Sequence, residues 1–504
     1  MRLFSKIHSS FSIINFVKTA FVSLSFGTMI STKAFAAETQ SPFIDQAYAV
    51  SYQNGKIEKS IPLLRAESSV GVDVNVDPFN KLQDIWGFGA SVTEACLTLM
   101  KDATPETRNK MMTSFFDPEK GHGLSYLRIP IGGNDFALSD HTLDDTDGNK
   151  EDPDLKNFKT DRLDPLLDFV LQAQKINPNI KVMISPWSAP AWMKANKNLR
   201  GGELEPKHFS TYANYLLKTI EHIQKKGIRI DALTVMNEPL INDAKSWWYF
   251  QQGYMDPVAQ KNFIDDFFTP LLKKNRLSIK ILAHDHNWDN SWDILHKVKN
   301  KEFKSKISGL AYHCYGGGYE ALKKSLALNA GVPSFNTECT SVHDGSDPGG
   351  TFHWWMQTQS VDAVREGTSG GLAWNLCLNK SGGPKNGGCD KCRGLITLDK
   401  ENGQDFIQES PELFSLGQTA RFVQPGSKMV DSNRTESLGI VNVAFVNSKN
   451  QIVVVLRNTT DQSKNVNLKI KNIKVGSVSI PRYTASTLVL KNLAQIKNDK
   501  SSQK

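Results

Sequence analysis

At 504 residues the chain is long enough for one large domain and a smaller one. Its 39% hydrophobic and 22% charged residues are the proportions of a folded soluble protein and exclude a disordered or membrane-embedded class. Part of the formal charge of +8 sits at the two chain ends, and the rest is too small to point to nucleic acid as a partner.

Residues 1–36 carry Arg2, Lys6, Lys18 and Lys33 and no acid. An apolar run from Thr19 to Ile30 precedes Ala34-Phe35-Ala36, an A-x-A cleavage signal. This reads as a Sec-type signal peptide cut after Ala36, giving a secreted or periplasmic protein. The run is short for a spanning helix and no later stretch could cross a bilayer, so no stable membrane insertion is expected.

Residues 41–80 hold short alternating segments, such as Val70–Val76. Eight apolar strand candidates follow: Ile85–Ser91, Tyr126–Ile131, Lys181–Pro186, Ala232–Met236, Lys280–Ala283, Gly309–His313, Pro333–Thr337 and Gly370–Asn375. Amphipathic stretches separate most of them, among them Pro105–Phe116, Leu163–Ile176, Pro206–Lys225, Gln260–Asn275 and His353–Glu366. In Pro206–Lys225 the residues Phe209, Tyr212, Ala213, Leu216, Leu217, Ile220 and Ile223 form one helical stripe. Strand–helix alternation repeated eight times predicts an α/β fold, a closed (β/α)8 TIM barrel over residues 81–424. Alternating segments at Ile440–Phe445, Gln451–Leu456, Val466–Ile470 and Thr487–Leu490 lie within 425–492. Together with residues 41–80 they predict a small antiparallel β-sandwich side domain built from both chain ends. Residues 493–504 read as a disordered basic tail.

The chemistry concentrates where the strands end. Met236-Asn237-Glu238-Pro239 and Phe335-Asn336-Thr337-Glu338 each close a strand on a glutamate. In a barrel, C-terminal strand ends share one mouth, so the two carboxyls meet there. Paired carboxyls suit glycoside cleavage, one as acid/base and one as nucleophile. Asp135, Trp187, His284-Asp285-His286, His313, Tyr315 and Trp374-Asn375 end other strands on the same face. Strand-end hydrogen bonding accounts for the two histidines around Asp285 better than a metal site does. Cys389 and Cys392 could close a local disulfide in a Gly-rich loop; they are also half a zinc site, but no second pair follows. Cys96, Cys314, Cys339 and Cys377 read as small buried residues. No metal or organic cofactor is expected.

These motifs resemble glycoside hydrolase family 30, the retaining β-glycosidases that include glucosylceramidases. The resemblance rests on Trp86–Glu94 (WGFGASVTE), Ser185–Lys194 (SPWSAPAWMK), Asn237-Glu238-Pro239, Ala311–Tyr315 (AYHCY), Asn336–Cys339 (NTEC), Trp374–Asn379 (WNLCLN) and the Arg421-Phe422-Val423 segment. It implies a barrel with a β-sandwich side domain, Glu238 as acid/base and Glu338 as nucleophile. It also implies substrate contacts from Glu94, Trp187, Asn237, His313, Tyr315, Trp374 and Asn375, with Asn237 on the sugar 2-OH and Tyr315 touching the nucleophile. Glu94 stands where the family usually has Asp, which bears on sugar preference. The implied activity is glucosylceramidase-like hydrolysis of a β-linked glucoside, glycolipid or glucan. The alternatives are an endo-β-1,6-glucanase or β-xylosidase of the same family and, more distantly, an inactive carbohydrate-binding barrel.

Overall fold

A computed structural model of the protein describes residues 41, 43–53, 56–59, 63, 64, 66, 70–241, 250–290, 294, 301–342, 348–492 and 495. The expected signal peptide lies outside the described residues, as does the expected tail apart from Gln495.

Eight parallel strands close into a barrel. They are β1 (Gly87–Ser91), β2 (Tyr126–Ile131), β3 (Lys181–Pro186), β4 (Ile230–Thr234), β5 (Lys280–Asn287), β6 (Gly309–His313), β7 (Ser334–Glu338) and β8 (Thr368–Ala373). Closure runs through Gly370 opposite Gly87 and Ala373 opposite Ala90. Helices cover the outer face, so strands such as β2 are buried at every residue and read as continuous apolar runs. Tyr126, Met183, Ala232, Leu282, Ala311, Phe335 and Leu372, one from each of β2–β8, form a separate cluster inside the barrel. In β1 the bulk is missing for a reason: a Cβ on Gly89 would meet the Tyr126 carbonyl oxygen at 1.7 Å.

Helix Pro105–Phe116 has the expected bounds. Thr104 caps it by accepting from the Thr107 amide, and Pro105 occupies the first turn, where no N–H is needed. Two expected helices are interrupted. The stretch expected at Gln260–Asn275 starts at Pro257 and widens to a π turn at Phe263–Phe268. Pro270 follows within the next turn and has no N–H to give, which favours a widened ladder just before it. The stretch expected at His353–Glu366 starts at Pro348 and contains a π turn at Met356–Ser360.

Outside the barrel, strands from both chain ends form one nine-stranded sheet. Its order is Ile473–Ile480, Lys464–Ile470, Val72–Asp84, Lys428–Ser432, Ile440–Val446, Gln451–Asn458, Thr484–Asn492, Ile44–Gln53 and Lys56–Lys59. The pairing is antiparallel except between Lys464–Ile470 and Val72–Asp84. Two of these strands, Lys428–Ser432 and Ile473–Ile480, were not among the expected segments. A further small sheet of Cys377–Leu378, Ile396–Glu401 and Gln404–Glu409 was also unexpected.

The cysteines require a correction. Cys96, Cys314, Cys339 and Cys377 are not isolated buried thiols: Cys96 is bonded to Cys377 and Cys314 to Cys339, while Cys389 and Cys392 form the expected local bridge. The reason is barrel adjacency. Cys314 and Cys339 follow the neighbouring strands β6 and β7, where His313 already stands opposite Glu338. Cys96 and Cys377 meet because β8 closes on β1.

Candidate active site

Glu338 is the last residue of β7, and both its carboxylate oxygens are engaged. Arg128, from the middle of β2, donates through Nη1 to Oε2, and the Tyr315 hydroxyl donates to Oε1 at 2.9 Å. Glu238 follows β4 with φ of 42°, a left-handed backbone that its N–H bond to the Asp285 carbonyl (3.0 Å) helps hold. His313 ends β6 and stands between the acids. Its Nδ1 lies 3.2 Å from Glu238 Oε1 and 3.9 Å from Glu338 Oε1. The two carboxylates therefore lie no farther apart than the sum of those distances.

Behind them sits Asp285. Its carboxylate accepts from Arg128 Nη2 (3.0 Å), Ser185 Oγ (2.9 Å), Thr234 Oγ1 (2.6 Å) and Thr337 Oγ1 (2.7 Å), and lies 3.1 Å from His313 Nε2. Burial alone would raise its pKa; Arg128 and His313 overcome that and hold it far below the carboxylate range. Asn237 reaches the nucleophile position through Arg128, whose Nη2 donates to Asn237 Oδ1 at 2.7 Å.

The charges follow from these contacts. Burial would lower His313, but the carboxylates of Glu338, Asp285 and Glu238 push it up to about 10. Burial lifts Glu238, and the hydrogen bond and charge of His313 outweigh it, leaving Glu238 below the ordinary range. The proton shared by Glu238 and His313 thus rests on the imidazole, which donates from both nitrogens. Burial raises Glu338 against the pull of His313 and Arg128. Desolvation of its hydroxyl end, although the residue is 43% exposed, keeps Tyr315 well above its usual pKa, as do the Glu338 and Glu238 charges. Tyr315 is therefore a permanent donor.

Trp187 and Trp374 stack at 4.7 Å with an interplanar angle of 13°, and Arg128 lies 4.7 Å over the Trp187 ring. Trp374 Nε1 donates to Asp135 Oδ2 at 3.1 Å. Burial and the Glu338 charge push Asp135 well above the carboxylate range. Asn375 is placed beside Thr93, whose hydroxyl donates to its Oδ1 (2.8 Å); its Nδ2 meets no partner among the described residues. The Cys389–Cys392 loop borders this wall: Cys392 packs with Phe136, Trp187 and Trp374.

Thus Glu238, Glu338, Asn237, His313 and Tyr315 are brought into one network, and Trp187 and Trp374 join it through Arg128. Glu94 is engaged within the protein: its carboxylate faces Arg162 (2.7 and 3.2 Å) and the Leu138 amide (2.7 Å). It is the first residue of helix Glu94–Asp102, and that start turns its side chain under the 134–141 segment. Three members of the site were not singled out from the sequence. A lone arginine in the apolar run Tyr126–Ile131 was the signal for Arg128. Asp135 and Asp285 stood at strand ends without an assigned role. His284 and His286 bond within their own turn, through Asn287. Among the described residues no group of three or more His, Cys, Asp or Glu could hold a metal ion.

Residues 85–398 match the model of the glycosyl hydrolase family 30 TIM-barrel domain, and residues 426–488 match that of the family 30 beta sandwich domain. The endo-1,6-beta-D-glucanase neg1 of Aspergillus fumigatus is 27% identical over 84% of this chain and 88% of its own. The lysosomal acid glucosylceramidase of Mus musculus is 26% identical over 87% and 88%. The solved structure of the endo-beta1,6-glucanase BT3312 superposes with a TM-score of 0.77 at 25% identity, covering 88% of this chain and 98% of that one.

Proposed function

The chain belongs to glycoside hydrolase family 30, and from that premise we propose that it is a retaining β-glycosidase acting on β-1,6-linked glucan. The observation that carries the mechanism is the shared contact of Glu238 and Glu338 with His313 Nδ1, at 3.2 and 3.9 Å. That contact caps the Oε1–Oε1 separation at the sum of the two distances, a bound that includes the about 5–5.5 Å expected for direct attack; the retaining reading rests on this together with membership of the family.

In the first step Glu338 attacks the anomeric carbon and the glycosidic C–O bond breaks. Glu238 hands the leaving oxygen the proton of the Glu238–His313 pair. Water then attacks the glycosyl ester, Glu238 takes its proton, and Glu338 leaves as the carboxylate. Arg128 and Tyr315 stabilise that departing charge. Asn237 binds the sugar 2-OH. Asp135 and the Asn375 amide accept and donate to its other hydroxyls, against the wall made by Trp187 and Trp374. No step calls on a metal or an organic cofactor.

The glucan preference is supported by the similarity to the Aspergillus fumigatus enzyme and to BT3312, both named as β-1,6-glucanases. Hydrolysis of a glucosylceramide is the second reading, favoured by similarity to the mouse enzyme. Export after cleavage at Ala36 fits a polymeric substrate outside the cell; among the described residues no helix is long and apolar enough to cross a membrane.

The test is a product profile on a linear β-1,6-glucan, a glucosylceramide and an aryl β-xyloside, with the product anomer followed by NMR. The β-anomer released first, from the glucan in preference to the others, is expected. An initial α-anomer would overturn the retaining mechanism, preference for the glycolipid or the xyloside would overturn the glucan reading, and no hydrolysis would leave a carbohydrate-binding barrel. Glu338→Ala should lose turnover by several orders of magnitude, and azide should partly restore it with inverted configuration.

A further inference from the structure

Asp135 lies on the segment 134–141, its Oδ2 accepting from Trp374 Nε1 at 3.1 Å, and the aim of its carboxyl depends on where that segment is anchored. That anchor is the start of helix Glu94–Asp102. Glu94 Oε2 accepts from the Leu138 amide at 2.7 Å, and the Ala95 amide donates to the Phe136 carbonyl at 3.0 Å. Arg162 closes the clamp: it grips Glu94 through Nη2 (2.7 Å) and Nε (3.2 Å) and donates through Nη1 to Ser139 Oγ (2.8 Å). Residues on both sides of Leu138 are thereby fixed to one partly buried ion pair. From the opposite side the Asn386 amide donates to the Asp135 carbonyl at 2.7 Å.

We propose that Glu94, locked by Arg162, is a positioning residue that aims Asp135 at the sugar, acting on glycone affinity without touching the substrate. A carboxylate suits this place because Oε2 accepts from both the Leu138 amide and Arg162 Nη2 while Oε1 accepts from Arg162 Nε; an amide has a single acceptor and would lose the Nε bond and the charge pairing. The same turn reaches a second site residue, since Thr93 holds Asn375. The inference rests on the reading of Asp135 as a sugar contact.

The experiment is a double-mutant cycle on binding of 1-deoxynojirimycin, a glucose-shaped iminosugar, measured by calorimetry. Asp135→Asn should weaken binding about a hundredfold and Glu94→Gln about tenfold. The double variant should bind no worse than Asp135→Asn alone, because Glu94 has nothing left to aim. A general structural defect would weaken binding in both backgrounds. Arg162→Gln, which breaks the clamp from its half-exposed side, should repeat the Glu94→Gln result and serves if that variant does not fold. Additive losses, or unchanged binding in Glu94→Gln or in Arg162→Gln while Asp135→Asn is impaired, would overturn the positioning role. Unchanged binding in Asp135→Asn would instead remove the sugar-contact reading, and the inference with it.

Discussion

The Tyr315 hydroxyl donates to Glu338 Oε1 at 2.9 Å, on the oxygen that Arg128 leaves free. Each nucleophile oxygen thus has its own donor. Such donors do most when the carboxylate departs from the sugar, because charge then returns to it. Tyr315→Phe should lower kcat about 10- to 100-fold by slowing the second step. With an activated aryl glucoside the first turnover should appear as a burst, and KM should fall as the glycosyl-enzyme accumulates. Unchanged kcat without a burst would show that the hydroxyl has no part in release.

Glu238→Ala should behave differently across substrates. A poor leaving group needs the proton, whereas an activated phenol leaves nearly unaided. The loss of kcat/KM should shrink as the leaving-group pKa falls, from several orders of magnitude to about tenfold. An equal loss along a series of aryl glucosides would deny Glu238 the acid's role.

The barrel was legible because strands covered on both faces are continuous apolar runs, and all eight lie where those runs lie. The fourth and eighth are displaced by two residues, to Ile230–Thr234 and Thr368–Ala373, because Val235-Met236 and Trp374-Asn375 already lead to the site. Glu238 and Glu338 were legible because each ends such a run. What surrounds them was not. Arg128, Asp285 and Glu338 come from β2, β5 and β7 and meet only across the barrel interior, a contact that no local spacing encodes. The same holds for Cys96 with Cys377, which are 281 residues apart. The partner of Glu94 was not legible either: its neighbours in sequence end a barrel strand, while its side chain turns to Arg162, a residue of another connection.

His313 links the site to the pH dependence of folding. Its folded pKa of about 10 lies above the about 6.5 of an unfolded histidine. Between those values the folded state holds a proton that the unfolded state does not. The contribution is therefore whole below about pH 6.5 and is lost as pH rises through about 10. Urea unfolding of the wild type and His313→Gln across this range should show the wild-type advantage shrinking with rising pH. An advantage that stays constant or grows would mean the imidazole is not held as a cation.

The disulfide between Cys314 and Cys339 bears on both stability and chemistry. Cys339 follows Glu338, and Cys314 stands between His313 and Tyr315, so one bond ties the nucleophile to two of the side chains around it. The Cys339 carbonyl also accepts from the Trp374 amide at 2.7 Å, extending the tie to the aromatic wall. Its loop spans 25 residues, for which chain entropy alone gives about 3.5 kcal/mol. The bridge between Cys389 and Cys392 spans 3 residues and constrains the unfolded chain far less. Replacing Cys314 and Cys339 by serine should lower unfolding stability by about 3.5 kcal/mol. It should also reduce kcat at temperatures where the variant is fully folded, because Glu338 and Tyr315 lose their common tether. Replacing Cys389 and Cys392 should leave global stability nearly unchanged and act on KM, through the apolar cluster that Cys392 shares with Phe136, Trp187 and Trp374. Denaturant melts with steady-state kinetics on both serine pairs separate these effects; equal stability losses, or a kcat untouched by loss of the Cys314–Cys339 bond, would refute the assignment.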